Sequence, residues 1–256
     1  MKLIVLVDNN TIIDDYYLGE PALSFLIEDE DKTILFDTGY SDVFLLNAKK
    51  MGIDLTNINT LVLSHGHNDH TGGLIHLMKY RQNIDVYAHP LVDEEKEHDG
   101  KDLSSPVLLE TLPNNFIIHK TKNPQKISNH IYFLGEIERT VQPLRKLGND
   151  PLLDDSAIVY EKEDGIFIIT GCSHSGICNI IEQAKAITNK TKILGVIGGF
   201  HLLNNNEVTK EVCDYMKKED IDILYPCHCT DLDAKIELSK IKQIKQVGVG
   251  FTLDIE

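Results

Sequence analysis

Three histidines and one aspartate, all able to bind a metal ion, lie within six consecutive residues of this sequence. They are His65, His67, Asp69 and His70, in the order H-x-H-x-D-H. The apolar run 61–63 before them predicts a buried strand, and two glycines after them allow a tight turn into a helix. Imidazole nitrogens and a carboxylate suit Zn²⁺, and also Fe or Mn. We therefore expect these four residues to be metal ligands rather than part of a solvated loop, with Asp69 also orienting a metal-bound hydroxide.

Histidines recur where other predicted strands end: His89, His174, His201 and His228. Binding sites in layered sheets form where strand ends meet, so these side chains are candidates to converge on the first motif. We expect His174 and His228, at strand-to-helix junctions, to be ligands. We interpret His201 as a substrate-binding or proton-transfer residue and therefore as catalytic, with a role as a metal ligand as the alternative. His89 is expected to be structural or to support a metal ligand from behind.

Asp155 and Cys172 compete for a further ligand position beside His174. The predicted hairpin 156–170 brings its two ends together, which places both residues at one edge. A carboxylate and a thiolate are both sound zinc ligands. We expect Asp155 to be the more exposed residue and a ligand, and Cys172 to pack behind it. The two cysteines that flank His228 are expected to be structural thiols.

Strand and helix patterns alternate along the chain and predict an α/β protein. Two stretches, 22–37 and 156–170, read as hairpins, and each is followed by alternating helices and strands. This favours a β-sandwich flanked by helices, in a single domain over residues 1–256, because no Gly-, Ser- or Pro-rich linker divides the chain. The weaker pattern at 91–153 predicts an inserted, lid-like segment that covers the site, the alternative being a disordered connector. Further elements are predicted at 41–51, 177–187, 207–218 and 231–241 (helices) and at 247–253 (a final strand).

The sequence resembles the metallo-β-lactamase superfamily, whose signature is the H-x-H-x-D-H pattern. Five motifs spread over residues 36–230 are similar to the branch named after the archaeal 7,8-dihydropterin-6-methyl-4-(β-D-ribofuranosyl)-aminobenzene-5′-phosphate synthase: F-D-T-G, S-H-G-H-N-D-H-T-G-G, G-C-S-H-S-G, G-G-F-H-L and P-C-H-C-T. The resemblance covers nearly the whole chain and implies a four-layer αββα sandwich, the metallo-β-lactamase fold. It also implies two divalent metal ions as cofactors, with Zn²⁺ expected first and Mn or Fe as alternatives.

Three features depart from this pattern. Where the branch carries E-H-G-L-S near the N-terminus, this chain reads E-P-A-L-S at 20–24. Cys172 stands where the superfamily usually has a bridging aspartate. Asp154 and Asp155 stand where a histidine is usual. These departures leave the substrate, and the number and identity of the metal ions, open.

A metal site with ligands of this kind predicts a reaction in which a metal-activated group attacks an anionic or carbonyl substrate. Two neighbouring ions lower the pKa of a bound water to about 7 and polarise a phosphoryl or carbonyl oxygen. The expected reaction is therefore hydrolysis of a phosphate ester or phosphodiester, or of a lactone or thioester. The expected partner is a small anionic molecule. The resemblance instead implies a dihydropteroate synthase-like condensation, in which an aryl amine attacks a pterin pyrophosphate. Arg139, Arg145 and Lys146 would contact such an anion, unless they are ordinary exposed charges.

Two other classes of protein are disfavoured. A di-iron redox or oxygen-handling protein of this superfamily generally needs a flavin or rubredoxin-type partner, and no flavodoxin-like segment is found in the 256 residues. A binding protein that keeps the fold without its metals is disfavoured by the intact ligand motif.

The composition disfavours polyanionic partners. With 25 basic and 40 acidic residues the net charge is −15, so neither nucleic acid nor an anionic membrane is expected to bind. No apolar run approaches the roughly 18 residues of a membrane span, and the N-terminus lacks a secretory-signal pattern. Five cysteines, an odd number, do not suggest a disulfide framework. We expect a cytoplasmic, reduced protein, and the sequence does not indicate its oligomeric state.

Overall fold

The structure is a computed structural model that describes residues 1–30, 32–79, 83–141 and 152–255. The chain divides into two compact units. The first unit comprises Met1–Thr121 and Val247–Glu256, and the second comprises Lys122–Gln246. Among the described residues, no helix has both the length and the apolar composition that a membrane crossing requires.

The strands are short, and most of them belong to one large sheet in each unit. They are β1 (Lys2–Val7), β2 (Ser24–Asp29), β3 (Lys32–Phe36), β4 (Thr60–Val62), β5 (Ile84–Ala88), β6 (Glu97–His98), β7 (Lys101–Asp102), β8 (Phe116–Lys120), β9 (Gln125–Lys126), β10 (Ile131–Phe133), β11 (Ala157–Glu161), β12 (Ile166–Thr170), β13 (Ile193–Gly198), β14 (Ile223–Pro226), β15 (Gln243–Ile244) and β16 (Thr252–Asp254). The helices are α1 (Val43–Met51), α2 (Asn68–Thr71), α3 (Leu74–Leu77), α4 (Ile177–Thr188), α5 (Glu207–Lys218) and α6 (Leu232–Ser239), with 3₁₀ turns at Leu55–Asn57 and Leu109–Thr111.

The first unit contains a seven-stranded mixed sheet with the order β16-β1-β2-β3-β4-β5-β8. Strands β1 to β3 are antiparallel neighbours, whereas β3, β4, β5 and β8 run parallel. The carboxyl ends of adjacent parallel strands lie at the same edge of a sheet, where sites tend to form. Asp37, His65 and His89 follow β3, β4 and β5, so the ligand motif and its neighbours share that edge.

The second unit contains a seven-stranded sheet with the order β15-β14-β13-β12-β11-β10-β9. Strands β12, β13 and β14 are parallel, and helices α4 and α5 form the crossovers that such strands require. Three turns follow their carboxyl ends. The first carries Cys172 and His174, the second His201, and the third His228 and Cys229. The topology of this unit therefore places all three turns along one sheet edge.

Each unit has its own apolar core, which holds the strand ends in place. In the first unit the fully buried Phe44 of α1 and Leu61 of β4 belong to one cluster. In the second unit α4 buries Ile177, Ile180 and Ala184, positions that share one helical face. Burying a large apolar side chain contributes about 1.5–3 kcal/mol. The turns at the strand ends are therefore built on rigid supports.

Most predicted elements are confirmed, with two differences. The two hairpins are present as β2–β3 and β11–β12, and the helix at 207–218 is α5. The helix predicted after the glycines is present as α3, and a further short helix, α2, begins before them at Asn68, so that Asp69 and His70 lie on α2. The final strand is shorter than predicted and starts at Thr252.

The segment 91–153 is more regular than expected. Strand β8 joins the sheet of the first unit, and β9 and β10 join the sheet of the second. Within the described residues, the longest stretch of this segment outside these sheets is 91–115, which contains the β6–β7 hairpin. The rest of the predicted insertion includes 142–151, which lies outside the described residues. A lid-like role for this segment stays a prediction.

Candidate metal-binding site

Asp37 is the buried carboxylate around which the ligand motif of the first unit is built. It follows β3, is fully buried, and has a left-handed φ of 56°, a conformation that costs a non-glycine residue about 1–3 kcal/mol. Oδ1 accepts a hydrogen bond of 2.7 Å from the Ser64 backbone N–H, and Oδ2 accepts one of 2.7 Å from Ser64 Oγ. Oδ2 also lies 2.7 Å from His70 Nδ1. One carboxylate thus connects the ends of β3 and β4 to α2.

This carboxylate determines which ring nitrogens of two histidines carry a proton. Since a carboxylate only accepts, His70 donates from Nδ1 and keeps a lone pair on Nε2. Ser64 Oγ directs its proton at Asp37, so it accepts from His65 Nδ1, which lies 2.9 Å away. His65 Nε2 is therefore also unprotonated. A metal-binding histidine usually donates the N–H of its other ring nitrogen to an acceptor of this kind.

His65 and His67 each direct one ring nitrogen at the same point. His65 Nε2 and His67 Nδ1 are 3.0 Å apart, and the two rings meet edge to face with centroids separated by 4.7 Å. Two nitrogens bound to one tetrahedral Zn²⁺ at about 2.0–2.1 Å would be about 3.3 Å apart. Both side chains are buried, unlike those of a solvated His-rich loop. The residues present therefore fit a shared divalent ion.

Asp69 and His70 form the second pair of the motif. His70 is fully buried, and its Nε2 lies 3.6 Å from Asp69 Oδ2. The Asp69 side chain is 27% exposed, so the same carboxylate reaches both a ligand nitrogen and solvent. The rings of His65 and His70 have centroids 4.2 Å apart. All four residues of the H-x-H-x-D-H motif are therefore clustered within the first unit.

The turn inside the motif accepts only glycine at position 66. A Cβ added to Gly66 would lie 1.7 Å from the carbonyl oxygen of Val92. Lys96, 4% exposed, holds that covering loop, because its Nζ donates to the carbonyl oxygens of Leu91 at 3.0 Å and Glu94 at 3.4 Å. Lys96 was not predicted as part of the site, since a lysine in a charged stretch is usually solvated.

The divergent segment 20–24 also contacts the motif. Leu23 N donates to the carbonyl oxygen of Asp69 at 3.3 Å. The Glu20 carboxylate accepts from Ser41 Oγ at 2.6 Å, which holds this segment against the turn after β3. The residues that depart from the resembling branch therefore lie beside the predicted ligands, where they could influence which substrate fits.

In the second unit, three residues other than glycine adopt left-handed conformations in the turns after the parallel strands. The φ angles are 58° at Ser173, 50° at His201 and 47° at His228. Such conformations are uncommon and concentrate at functional sites. Gly199 N donates to Gly171 O at 2.8 Å, which ties the first two turns together. The turns are therefore held in strained but defined positions.

The predicted histidines of the second unit lie together with two cysteines. Sγ of Cys172, Sγ of Cys229 and a ring nitrogen of His201 are all within 4.8 Å of one another. A ring nitrogen of His228 is likewise within 4.8 Å of Cys172 Sγ. The rings of His174 and His201 have centroids 4.4 Å apart. Cys229 lies beside His201, and the expectation that it is a structural thiol stays a prediction.

Asp155 is more deeply buried than expected. It is 0% exposed, against 3% for Cys172, so the expectation that Asp155 is the more exposed of the two is wrong. The physical reason is that the turn holding Ser175 covers the carboxylate, and Ser175 N donates to Oδ2 at 2.7 Å. Burial raises the pKa of Asp155 to about 6, although hydrogen bonds from Ser175 oppose the shift.

The other carboxylate oxygen of Asp155 gives a reason to keep it as a candidate ligand. Oδ1 is buried, and no hydrogen-bond partner for it lies in the described part of the chain. A buried carboxylate oxygen that lacks a donor is suited to a cation. Whether Asp155 or Cys172 binds a metal stays a prediction.

The remaining predicted residues have less direct roles. His89 is fully buried, and its Nδ1 accepts from a backbone N–H two residues along at 3.2 Å, which agrees with a structural role. Arg139 donates from Nη2 to the carbonyl oxygen of Leu152 at 2.7 Å, so its guanidinium is partly engaged by the backbone. Arg145 and Lys146 lie outside the described residues. Contact of these cations with a substrate stays a prediction.

Comparison with known proteins identifies a matching family and a curated relative. The family model described as the metallo-beta-lactamase superfamily matches residues 18–228, which is more than half of the chain. The 7,8-dihydropterin-6-methyl-4-(beta-D-ribofuranosyl)-aminobenzene-5'-phosphate synthase of Methanocaldococcus jannaschii is 32% identical over 260 residues, covering 88% of this chain and 88% of that protein.

The comparisons also include a solved structure that is similar over the whole chain and a relative that is similar locally. Tm1679, described as a metal-dependent hydrolase of the beta-lactamase superfamily, matches with a TM-score of 0.86 and 26% identity, covering 100% of this chain and 99% of that chain. The anaerobic nitric oxide reductase flavorubredoxin of Aliivibrio salmonicida is 42% identical over 73 residues, which are 27% of this chain and 14% of that protein.

Proposed function

Because the chain belongs to the metallo-beta-lactamase superfamily, we propose that it is an enzyme that uses divalent metal ions to act on a small anionic molecule. The proposed substrates are phosphate esters or pyrophosphates, including a pterin-related compound. The observation that carries the proposal is the pair of buried ligand nitrogens, His65 Nε2 and His67 Nδ1, 3.0 Å apart. Asp37 and Ser64 orient His65, one member of this pair, which supports a ligand role over a packing role.

Each unit contributes a set of proposed ligands. In the first unit these are the four residues of the H-x-H-x-D-H motif, and in the second unit they are His174, His228 and Asp155. Two ions are proposed, with Zn²⁺ first and Mn or Fe as alternatives. A divalent ion held by such residues supplies an activated water and polarises an oxygen of the substrate.

The other steps belong to side chains of the chain itself. Asp37 accepts from His70 Nδ1, and Ser64 Oγ, whose proton points at Asp37, accepts from His65 Nδ1, so both Nε2 lone pairs remain available. Asp69, which is partly exposed, is proposed to orient the attacking group and to accept its proton at the carboxylate. His201, 8% exposed, is proposed to contact the substrate or to donate a proton to the leaving group.

Two reactions fit this arrangement. Hydrolysis uses water as the attacking group and is supported by the similarity to Tm1679. Condensation uses an aryl amine, expels pyrophosphate, and is supported by the similarity to the dihydropterin synthase. A di-iron redox function is a second candidate, since the local match to a flavorubredoxin favours it.

Metal analysis of protein purified without chelators is the first test of this proposal. The expected result is two Zn²⁺ per chain, followed by turnover in a screen of phosphomonoesters, phosphodiesters, lactones, and pterin pyrophosphate with an aryl amine. Two Fe with visible absorption would favour the redox candidate. Absence of bound metal after reconstitution with Zn²⁺, Mn²⁺ and Fe²⁺ would contradict both.

Two substitutions separate the proposed roles. His65→Ala should remove metal and turnover together, because it deletes a ligand. His201→Ala should lower kcat while metal content is kept, because we place this residue on the substrate. His98→Ala is the matched control, since the His98 side chain is 41% exposed and outside the motif. Loss of a metal equivalent from the His201 variant would move that residue into the ligand set.

A further inference from the structure

Ser175, which follows the proposed ligand His174, is held through both of its backbone groups. Its N–H donates to Asp155 Oδ2 at 2.7 Å, and its carbonyl oxygen accepts from Asn179 Nδ2 at 2.7 Å. Ser175 is 1% exposed and Asn179 is fully buried, so water competes for neither hydrogen bond. The position of the turn 171–176, called the His174 turn below, therefore depends on one candidate ligand and on Asn179.

The second contact of the Asn179 amide determines which of its ends faces the His174 turn. Oδ1 accepts from the Val141 backbone N–H at 2.7 Å. Because an N–H requires an acceptor, the amide oxygen must face Val141, and the donor Nδ2 is left for the Ser175 carbonyl. Asn179 lies in the first turn of α4, although asparagine is a weaker helix former than alanine or leucine. Its two hydrogen bonds, rather than helix propensity, account for this residue.

A second amide on the same helix face holds the neighbouring chain and provides a comparison. Gln183 lies four residues, about one helical turn, after Asn179. Its side chain makes three hydrogen bonds of 2.8 to 2.9 Å with backbone groups of residues 134–138. Both amides therefore fasten the segment 134–141 to α4. Of the two, only Asn179 has a hydrogen bond to the His174 turn among the described residues.

The Asp155 carboxylate connects this arrangement to metal binding. Its Oδ2 accepts from Ser175, whereas its buried Oδ1 has no hydrogen-bond partner in the described part of the chain. On the other side of His174, Ser173 has a left-handed φ of 58°, and such a backbone persists only where its surroundings hold it. By holding Ser175, Asn179 therefore holds both the anchor of Asp155 and the backbone that carries His174.

We propose that Asn179 is a positioning residue for the metal ligands of the second unit. It fixes Ser175 so that His174 and Asp155 keep the orientation in which they bind an ion. This inference rests on the proposed function, which makes these two residues ligands, whereas the contact between Asn179 and the turn is independent of it. Asn179 is not proposed to touch metal or substrate. Its role parallels that of Ser64 in the first unit.

Three substitutions separate the contact with the His174 turn from the contact with the segment 134–141. Asn179→Ala removes both. Asn179→Ser leaves a space of nearly the same size, but a serine in a helix can donate to the carbonyl oxygen four residues before it, here that of Ser175. Asn179→Ser therefore keeps the contact with the turn. Gln183→Ala releases residues 134–138 and leaves that contact unchanged.

Titration of chelator-stripped protein with Zn²⁺ is the first readout. In Asn179→Ala, the affinity for one ion should fall by about 10- to 100-fold, as is typical when a group that supports a metal ligand is removed. Asn179→Ser and Gln183→Ala should remain close to the wild type. Equal affinities in Asn179→Ala and Asn179→Ser would overturn the proposal, because the two variants differ in the turn contact and hardly in the space they leave.

Hydrogen exchange of the Ser175 amide, measured by NMR on metal-free protein, is the second readout. The amide should exchange faster in Asn179→Ala and stay protected in the wild type, in Asn179→Ser and in Gln183→Ala. Unaltered exchange in Asn179→Ala would overturn the proposal even if metal binds. If exchange changes as expected but the wild type binds no Zn²⁺, the proposed function fails, and the role of Asn179 in metal binding fails with it.

Discussion

At the scale of single residues, the site depends on carboxylates that do not face solvent. Asp37 is fully buried and links two predicted ligands through hydrogen bonds of 2.7 Å to Ser64 Oγ and of 2.7 Å to His70 Nδ1. Asp155 is buried as well, and one of its oxygens lacks a donor among the described residues. Burial makes the charge of each residue costly, so each should have measurable effects on metal affinity or stability.

Asp37→Asn should weaken metal binding by about 10- to 100-fold, as is typical when the partner of a metal-binding histidine is lost. The asparagine amide has nearly the same shape as the carboxylate. It has only one oxygen, so it cannot accept all the hydrogen bonds that Ser64 and His70 donate to the two oxygens of Asp37. Titration of chelator-stripped protein with Zn²⁺ measures the effect. Asp85→Asn is the control, since Asp85 pairs with His119 at 2.8 Å on a partly exposed surface. Equal loss of affinity in the two variants would show that Asp37 acts only on stability.

Asp155→Asn should make the metal-free protein more stable near neutral pH. The pKa of Asp155 is raised to about 6 in the folded state by burial, so the native protein binds more protons than the unfolded chain between about pH 4 and about pH 6. Stability therefore falls as pH rises through this window, by about 3 kcal/mol in total. Asparagine carries no such charge. The difference in free energy of unfolding between Asp155→Asn and the wild type, measured by urea unfolding, should therefore grow as the pH rises through the same window.

The control for this pH dependence has the opposite sign. Hydrogen bonds from Thr56 lower the pKa of the exposed Asp54, so its stabilising contribution is present above its unfolded pKa and is lost as the pH falls through its folded pKa. Asp54→Asn should therefore lose stability relative to the wild type near neutral pH. A pH-independent gain for Asp155→Asn would contradict a charge-based explanation.

At the scale of elements, the ligand turns are packed against loops from other strands. The turn between β4 and α2 has no room for a Cβ at Gly66, because the carbonyl oxygen of Val92 in the loop after β5 lies against it. In the second unit the turns after β12 and β13 are joined by the Gly199–Gly171 hydrogen bond. The orientation of each ligand is therefore a property of several elements together.

Gly66→Ala should disturb both packing and metal binding. The added methyl group must displace backbone atoms, which costs about 1–3 kcal/mol in a well-packed region, and it should separate the nitrogens of His65 and His67. Thermal unfolding and Zn²⁺ affinity measure the two effects. Gly19→Ala is the control, because its Cβ would make only ordinary contacts at 3.4 Å. Unchanged Zn²⁺ affinity in Gly66→Ala would show that the motif tolerates movement of this turn.

At the scale of the whole molecule, metal binding should be coupled to folding. Histidines brought together by packed strands form a site in the native chain and not in the unfolded one, so bound metal favours the native state. Free Zn²⁺ at about 100 times Kd should raise the free energy of unfolding by about 2.7 kcal/mol per site. A chelator should reverse the gain.

The same experiment with variants shows where the coupling arises. His65→Ala should lose much of the Zn²⁺-dependent gain, whereas the exposed control His98→Ala should keep it. Denaturant unfolding at several Zn²⁺ concentrations provides the measurement. If both variants gain as much as the wild type, the stabilising ions bind elsewhere on this acidic chain, whose net charge is −15.

The sequence by itself determined the clustering of the H-x-H-x-D-H residues, the α/β class and the positions at which strands end. These features depend on local order: the H-x-H-x-D-H spacing, apolar runs of strand length, and the turns that follow them. Because parallel neighbours end at the same edge, the expectation that His174, His201 and His228 lie together followed from the same reading. The structure brings them together within the second unit.

Only the tertiary structure decided which side chains support the ligands. Asp37 and His70 are 33 positions apart, and no spacing rule relates them, since their contact depends on how β3, β4 and α2 pack. The same holds for Cys229, whose Sγ packs against Gly199, where a Cβ would lie only 2.5 Å from it. Burial of Asp155 also could not be predicted, because it depends on the turn that closes over it. Orientation of a ligand is set by contacts between residues distant in the chain, and such contacts exist only once the cores have packed.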